Sequence, residues 1–221
     1  MRTASPSSFW FSLPIVIFAS HLSAQPGQGF GAAMAANAKL LHQYTYKQKT
    51  EILYKGEGKV TRIAQVRFTP DGRHDATVLS QTGGEEEATG LGHRIVNKKR
   101  EELREYGERV TALVEMYLPP DPEKLRTALA TAELDASGGL MSLVMKNYLK
   151  PGDSFSVLVD PANRKIEKFE LKTLLDKDPI TVTSDMKALP NGGPTYPGLT
   201  KVKAPAKALE IDITQYDFMK L

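Results

Sequence analysis

Tyr44-Thr45-Tyr46-Lys47-Gln48-Lys49-Thr50-Glu51-Ile52-Leu53-Tyr54 is the stretch from which the fold can be read. Tyr44, Tyr46, Thr50, Ile52 and Tyr54 share one parity, and Lys47, Lys49 and Glu51 hold the other. Successive side chains on a strand point to opposite faces, so this pattern predicts a strand with one buried and one wet side. Tyr44, Tyr46, Ile52 and Tyr54 are expected to face the core, with Lys47, Lys49 and Glu51 exposed; a slip of one residue would exchange the two sets. Gly56-Glu57-Gly58 closes the strand. A second follows over 59–69 with Val60, Ala64, Val66 and Phe68 on one face, then a Pro70-Asp71-Gly72 turn and a third strand over 74–79. Three strands joined by short turns form a meander.

Upstream, the alanine-rich run around 31–41 predicts a short helix, alanine being the best helix former. Downstream, residues 81–92 collect glycines and Glu85-Glu86-Glu87, the composition of a mobile loop. Between 93 and 118 the apolar positions Ile95, Val96, Leu103, Tyr106, Val110, Leu113, Val114 and Tyr117 recur every three or four residues, the spacing of one helix face. Lys98 with Glu102, Arg104 with Glu108 and Glu105 with Arg109 are spaced to pair on its wet side, and Gly107 weakens its middle. Pro119-Pro120 ends it, and Asp121-Pro122 offers a cap and a first-turn proline for a further helix through about Glu133, with Leu125 and Leu129 inward. Strands are expected over 140–149, 154–160, 165–174, 180–189 and 209–218. The turns at 150–153 and 160–163 are too short for parallel crossovers, so the connections are antiparallel. The proline- and glycine-rich stretch 190–205 reads as a linker along a sheet edge.

The chain opens with Arg2, an apolar run from about Phe9 to Ala19 and a small-residue Leu22-Ser23-Ala24, the pattern of a cleaved secretory signal over 1–24. The run is too short for a membrane span. The expectation is an exported, periplasmic or secreted single domain over 25–221 that begins at Gln25. With no cysteine, the domain holds together by burial rather than disulfides, and thiol redox chemistry is excluded. Lys+Arg 29 against Asp+Glu 26 leaves a formal charge of +3, too little for a nucleic-acid-binding field.

No nucleotide loop, nucleophile elbow or zinc-protease motif is present, and no catalytic residue, metal site or cofactor is expected. His42, His74 and His93 read as surface histidines. Asp160, Asn163 and Glu167 lack the twelve-residue spacing of a calcium loop and read as a hairpin turn. Lys98-Lys99-Arg100 is neutralised by the glutamates that follow, whereas Lys201, Lys203 and Lys207 read either as a site for an anionic partner or as protection of an edge strand.

The strand-borne apolar residues Tyr44, Tyr46, Ile52, Tyr54, Phe68, Leu143, Met145, Phe155, Val157, Phe169 and Leu171, with Met141, can gather on one surface, which the helix carrying Val110 and Leu113 covers. That surface is either the lining of a ligand cavity or a closed core. The order of elements, with Tyr44 to Glu51 after the first helix and the hairpin Val159-Asp-Pro-Ala-Asn-Arg-Lys-Ile-Glu-Lys-Phe169, resembles the periplasmic lipoprotein-carrier superfamily, the group of the lipoprotein-sorting proteins LolA and LolB and the sensor RseB. The resemblance implies an α+β fold, a strongly curved antiparallel open half-barrel with helices on its concave face. It further implies non-enzymatic binding of a lipid, an acylated protein or a hydrophobic peptide between sheet and helices, at most peripheral to a membrane. An envelope protein is the implied partner, and a lid-holding strand arginine would be Arg62 or Arg67. The alternative is an interaction or sensor module of the same fold with a filled core.

Overall fold

The computed structural model describes residues 26–69, 74–83, 93–118, 120–137, 139–162 and 165–221. The expected signal segment 1–24, the Pro70-Asp71-Gly72 turn and most of the charged glycine-rich loop lie outside the described residues.

The meander forms as its alternation demands: β1 (Tyr44–Tyr54), β2 (Glu57–Phe68) and β3 (His74–Gly83) are consecutive and antiparallel. α1 (Pro26–Leu41) precedes them and starts earlier than its alanine-rich core suggests. α2 (His93–Glu115) and the short α3 (Pro122–Leu129) follow; the α3 cap is as read, with the Asp121 side chain accepting from the Lys124 amide and proline at the first position. The rest is strand: β4 (Glu133–Ser137), β5 (Leu140–Lys146), β6 (Ser154–Asp160), β7 (Lys165–Leu175), β8 (Asp178–Ala188), β9 (Thr195–Ala204) and β10 (Leu209–Lys220). Among the described residues all ten strands make one antiparallel sheet, open at both edges, in the order β3-β2-β1-β10-β9-β8-β7-β6-β5-β4.

Two sequence expectations are corrected. The stretch 190–205 is not an edge linker: it contains β9, an interior strand between β8 and β10. Gly198, Thr200, Val202 and Ala204 are buried while Lys201 and Lys203 ion-pair with Asp212 and Glu210 of β10. Lys201 and Lys203 therefore protect no edge. Pro197 is tolerated because pairing with β10 begins only at Leu199, so its missing N–H interrupts no ladder there. Likewise α3 stops at Leu129, and Glu133 opens the edge strand β4. Residues 133–137 have weak strand propensity, and pairing with β5 overrides it.

Curvature follows from interruptions in the ladder. Register shifts occur between β1 and both its neighbours, between β2 and β3, between β6 and β7, and between β8 and β9. Each extra residue bends its strand and raises the local twist. The consequence is visible at the end of α2. Tyr117 just beyond it reaches β7, and the α2 segment shares one core cluster with residues from every strand between β5 and β10. In a flat sheet β5 and β10 would stand roughly 24 Å apart at the usual strand spacing. The sheet instead curves round the helix.

The concave face carries the main core. Tyr106, Val110, Leu113, Val114 and Tyr117 of the α2 segment and Leu125 of α3 pack with residues of β5 to β10, and Met34 of α1 joins at the margin. Fully burying each large side chain stabilises by ~1.5 to 3 kcal/mol. One polar device fixes the helix end within this apolar surface. The Tyr117 hydroxyl donates to Asp153 Oδ2 at 2.7 Å and lies 3.2 Å from Thr173 Oγ1. The same carboxylate oxygen accepts from the Leu149 and Lys150 amides, both at 3.0 Å. Asp153→Ala would strand three donors at a buried position, a loss of about 2 to 4 kcal/mol, whereas Tyr117→Phe removes one donor and costs about 1 to 2. Thermal denaturation should rank the midpoints wild type, then Tyr117→Phe, then Asp153→Ala, with the last lower than wild type by roughly 5 to 12 °C.

Candidate functional site

Parity and register together assign one face of the sheet. Tyr46 is opposite Val66, Ile52 is opposite Ile211 and Val60, and Leu209 is opposite both Tyr54 and Ala204, so the even residues of β1 lie on the helix-bearing side. Lys47 pairs with Asp217 and Lys49 with Glu51 on the other side. The expected separation of the two sets by face is present, but the depth is uneven. Tyr46 is 1% exposed, whereas Tyr44, Ile52 and Tyr54 are only half-buried, as are Lys47, Lys49 and Glu51.

The expected lining residues fall into two apolar groups. Leu143, Met145, Phe155, Val157, Phe169, Leu171, Val110 and Leu113 belong to one cluster beneath α2, with Ile52 at its margin. Val110, Phe155 and Val157 have no exposed surface at all. Tyr46 and Phe68 belong to a second, smaller cluster with Ala64, Val66 and Phe218. Tyr44 and Tyr54 belong to neither. Between the clusters runs a polar seam on the same face: Gln48 opposite Gln215, and Thr50 opposite Arg62. The Gln215 Oε1 is buried without a hydrogen-bond partner. Of the strand arginines, Arg62 is exposed on this seam, while Arg67 is bound to Asp75 of β3 at 2.8 and 2.6 Å.

The second cluster contains a feature that spacing could not reveal. His42, just after α1, stacks on Phe68 with ring centroids 4.2 Å apart, and His74 meets the same ring edge-on at 4.7 Å. Tyr46 and Tyr196 both approach Phe218, at 5.0 and 4.2 Å. Two histidines read as unrelated surface residues thus converge, but across an aromatic ring rather than on a common ligand. Among the described residues, no group of three or more His, Cys, Asp or Glu is placed to hold a metal ion.

Two buried tyrosines, Tyr106 and Tyr117, belong to the main cluster, and the half-buried Tyr148 packs against it. Burial pushes the hydroxyls of Tyr106, Tyr117 and Tyr148 up to about 12, with nearby carboxylates (Asp178 for Tyr106, Asp153 for Tyr117, Asp121 and Asp153 for Tyr148) adding to it. All three remain neutral at physiological pH. Outside the core, a groove of about 490 Å³ runs between α3 and the end of β5, bordered by Lys124, Thr127, Met145 and Tyr148. Arg109 on α2 binds Asp176 in the β7–β8 turn at 2.6 Å, in place of the expected Glu105, while the Arg104–Glu108 pair forms at 2.7 Å. Among the described residues, no helix is long and apolar enough to cross a membrane.

No family model and no curated protein matches the chain. Solved structures do. A DUF1329 family protein from Desulfovibrio piger is 10% identical over 87% of this chain and 92% of its own, with a TM-score of 0.42. A putative outer membrane lipoprotein-sorting protein domain from Vibrio parahaemolyticus is 8% identical over 86% and 91%, with a TM-score of 0.39. A LolA superfamily protein from Nitrosomonas europaea is 9% identical over 85% and 92%, with a TM-score of 0.32.

Burial and the neighbouring His42 lower the pKa of His74, and Glu115 opposes them in part. A histidine whose folded pKa lies below its unfolded value contributes stability that is present above about pH 6.5 and lost as pH falls through the folded pKa. Urea midpoints at pH 7.5 and 5.5 should therefore differ more for the wild type than for His74→Gln.

Proposed function

We propose that the chain is an exported, non-enzymatic binding protein of the cell envelope. In this reading it holds a hydrophobic ligand, namely a lipid acyl chain or the apolar segment of a lipidated protein or peptide, between the concave face and α2. It works in the periplasm or outside the cell, needs no cofactor, binds no nucleic acid and touches a membrane peripherally at most. The observation that carries the reading is that the apolar concave face extends beyond what α2 fills. The second cluster and the half-buried Tyr44, Ile52 and Tyr54 continue it across the polar seam. α2 itself is fastened at discrete polar points, Tyr117 to Asp153 and Arg109 to Asp176, which can open as units and let the helix act as a cover.

A second reading, an interaction or sensor module with a filled core, is favoured by the complete burial of Val110, Phe155 and Val157. Tethering the helix separates the two. Because the chain has no cysteine, Arg109→Cys with Asp176→Cys can be joined selectively by a short bismaleimide. If α2 is the cover, the tethered protein should bind a fluorescent fatty acid at least about tenfold more weakly than the untethered double variant, a difference of ~1.4 kcal/mol. Wild-type protein that binds no probe at all would support the filled-core module, and equal uptake with and without the tether would place the ligand outside α2's cover.

A further inference from the structure

The two sides of the sheet treat their cations differently. On the side away from α2, Lys47, Lys49, Arg67, Lys201 and Lys203 each form an ion pair with a carboxylate of the same or the neighbouring strand. Arg62 is on the helix-bearing side, exposed, and among the described residues it makes no ion pair. Its register partners are Thr50 of β1 and Gln81 of β3, both uncharged, and Val60 and Ala64 flank it on the same face of β2. A guanidinium cannot shed its charge by titration, so this position holds a permanent cation with unfilled donors. Beside it lie Ile52, Tyr54 and Val60, half-buried, so that each retains apolar surface to offer. Ile52 leads on to the margin of the main cluster beneath α2.

We propose that Arg62 binds the carboxylate of a single-chain fatty acid, whose tail runs from it over Val60, Ile52 and Tyr54. This rests on the reading that the concave face holds a hydrophobic ligand, and it names that ligand's class. One cation next to partly open apolar surface matches an amphiphile, with the head on the guanidinium and the tail on the surface. Charge and shape select the head. One guanidinium neutralises one negative charge, so a monoanion is balanced, whereas a phosphate monoester carries about −1.5 to −2 and would be left under-compensated. The planar fork of the guanidinium also meets both oxygens of a carboxylate at once. The Thr50 hydroxyl and the Gln81 amide are uncharged donors on the neighbouring strands, placed to add hydrogen bonds without adding charge. An acidic residue on a folded partner is the poorer match, because Arg62 stands on the inner side of a curved sheet, where a slender chain enters more readily than a protein surface.

Displacement of the neutral dye Nile red at about pH 8, above the usual carboxylate range, tests the assignment with dodecanoate, dodecanol and dodecyl phosphate, which share one tail. Dodecanoate should displace the dye at a concentration at least about tenfold below that needed for either of the others. Arg62→Gln should erase this advantage by weakening dodecanoate alone, leaving dodecanol as it was. Arg62→Lys should restore part of it, since it keeps the charge and loses the fork. Both variants should keep the wild-type circular dichroism, the position being exposed. Equal displacement by dodecanoate and dodecanol, with Arg62→Gln changing neither, would overturn the assignment and leave the hydrophobic-ligand reading standing. An Arg62-dependent preference for dodecyl phosphate would overturn the choice of a carboxylate. Failure of all three to displace the dye would bring down the assignment and the ligand reading together.

Discussion

Among the described residues, ten strands in one open sheet present an apolar face that no second sheet covers, and the structure depends on how the amphipathic helix α2 meets that demand. α2 brings an apolar stripe to the concave side, and the sheet curves round it. Apolar packing is non-directional and would let the helix slide or rotate along a smooth surface. Tyr117 removes that freedom. Its hydroxyl ends on a carboxylate that also gathers two amides of its own turn, so the helix end, the β5–β6 turn and β7 are tied at a single point. Asp153 is 3% exposed and its other oxygen has no partner, which is the desolvation cost of placing a carboxylate there. That cost is accepted because the contact fixes position, a task that leucine or valine cannot perform.

The sequence makes the strands legible wherever a wet and a dry side alternate. β1, β2, β6 and β7 were open to that reading, and so was the α2 stripe, because burial on one face writes a period of two or 3.6 directly into residue type. β9 carries the same signal, with Thr200, Val202 and Ala204 inward and Lys201 and Lys203 outward. It was obscured by Pro197, Gly198 and Pro205, residues that mark a bulge and a strand end here but resemble a linker when read locally. Gly198 sits under the aliphatic chain of Lys187, whose carbons occupy the space a side chain would need. That reason belongs to the neighbouring strand and cannot be read from residues 195–205.

Contacts between distant polar residues were equally illegible. Nothing near Tyr117 announces Asp153, and nothing near His42 announces Phe68, because these partners are distant in sequence and meet only in the folded sheet, whereas Phe68 and His74 are direct register partners of the β2–β3 pair. The candidate lining residues show the same limit. Their parity was readable, and with it the face they share. Their division into a cluster filled by α2 and a smaller cluster beyond a polar seam depends on where the helix comes to rest.

That seam bears on how such a face could be used. Gln48, Thr50, Arg62 and Gln215 interrupt an otherwise apolar surface, and an interruption in the middle of a core normally costs stability unless its polar atoms are satisfied. Arg62 resolves the problem by remaining exposed, and Gln215 leaves an oxygen buried without a partner. A face built only to be sealed would gain by replacing these residues with valine or leucine. A face on which a cover stops part-way gains from keeping them, since the seam gives α2 a boundary and keeps the smaller cluster from merging with the main core. The polar band thus separates two buried apolar groups, the cluster packed by α2 and the smaller cluster of Tyr46, Ala64 and Val66, while Tyr44 and Tyr54 stay half-buried along the same face.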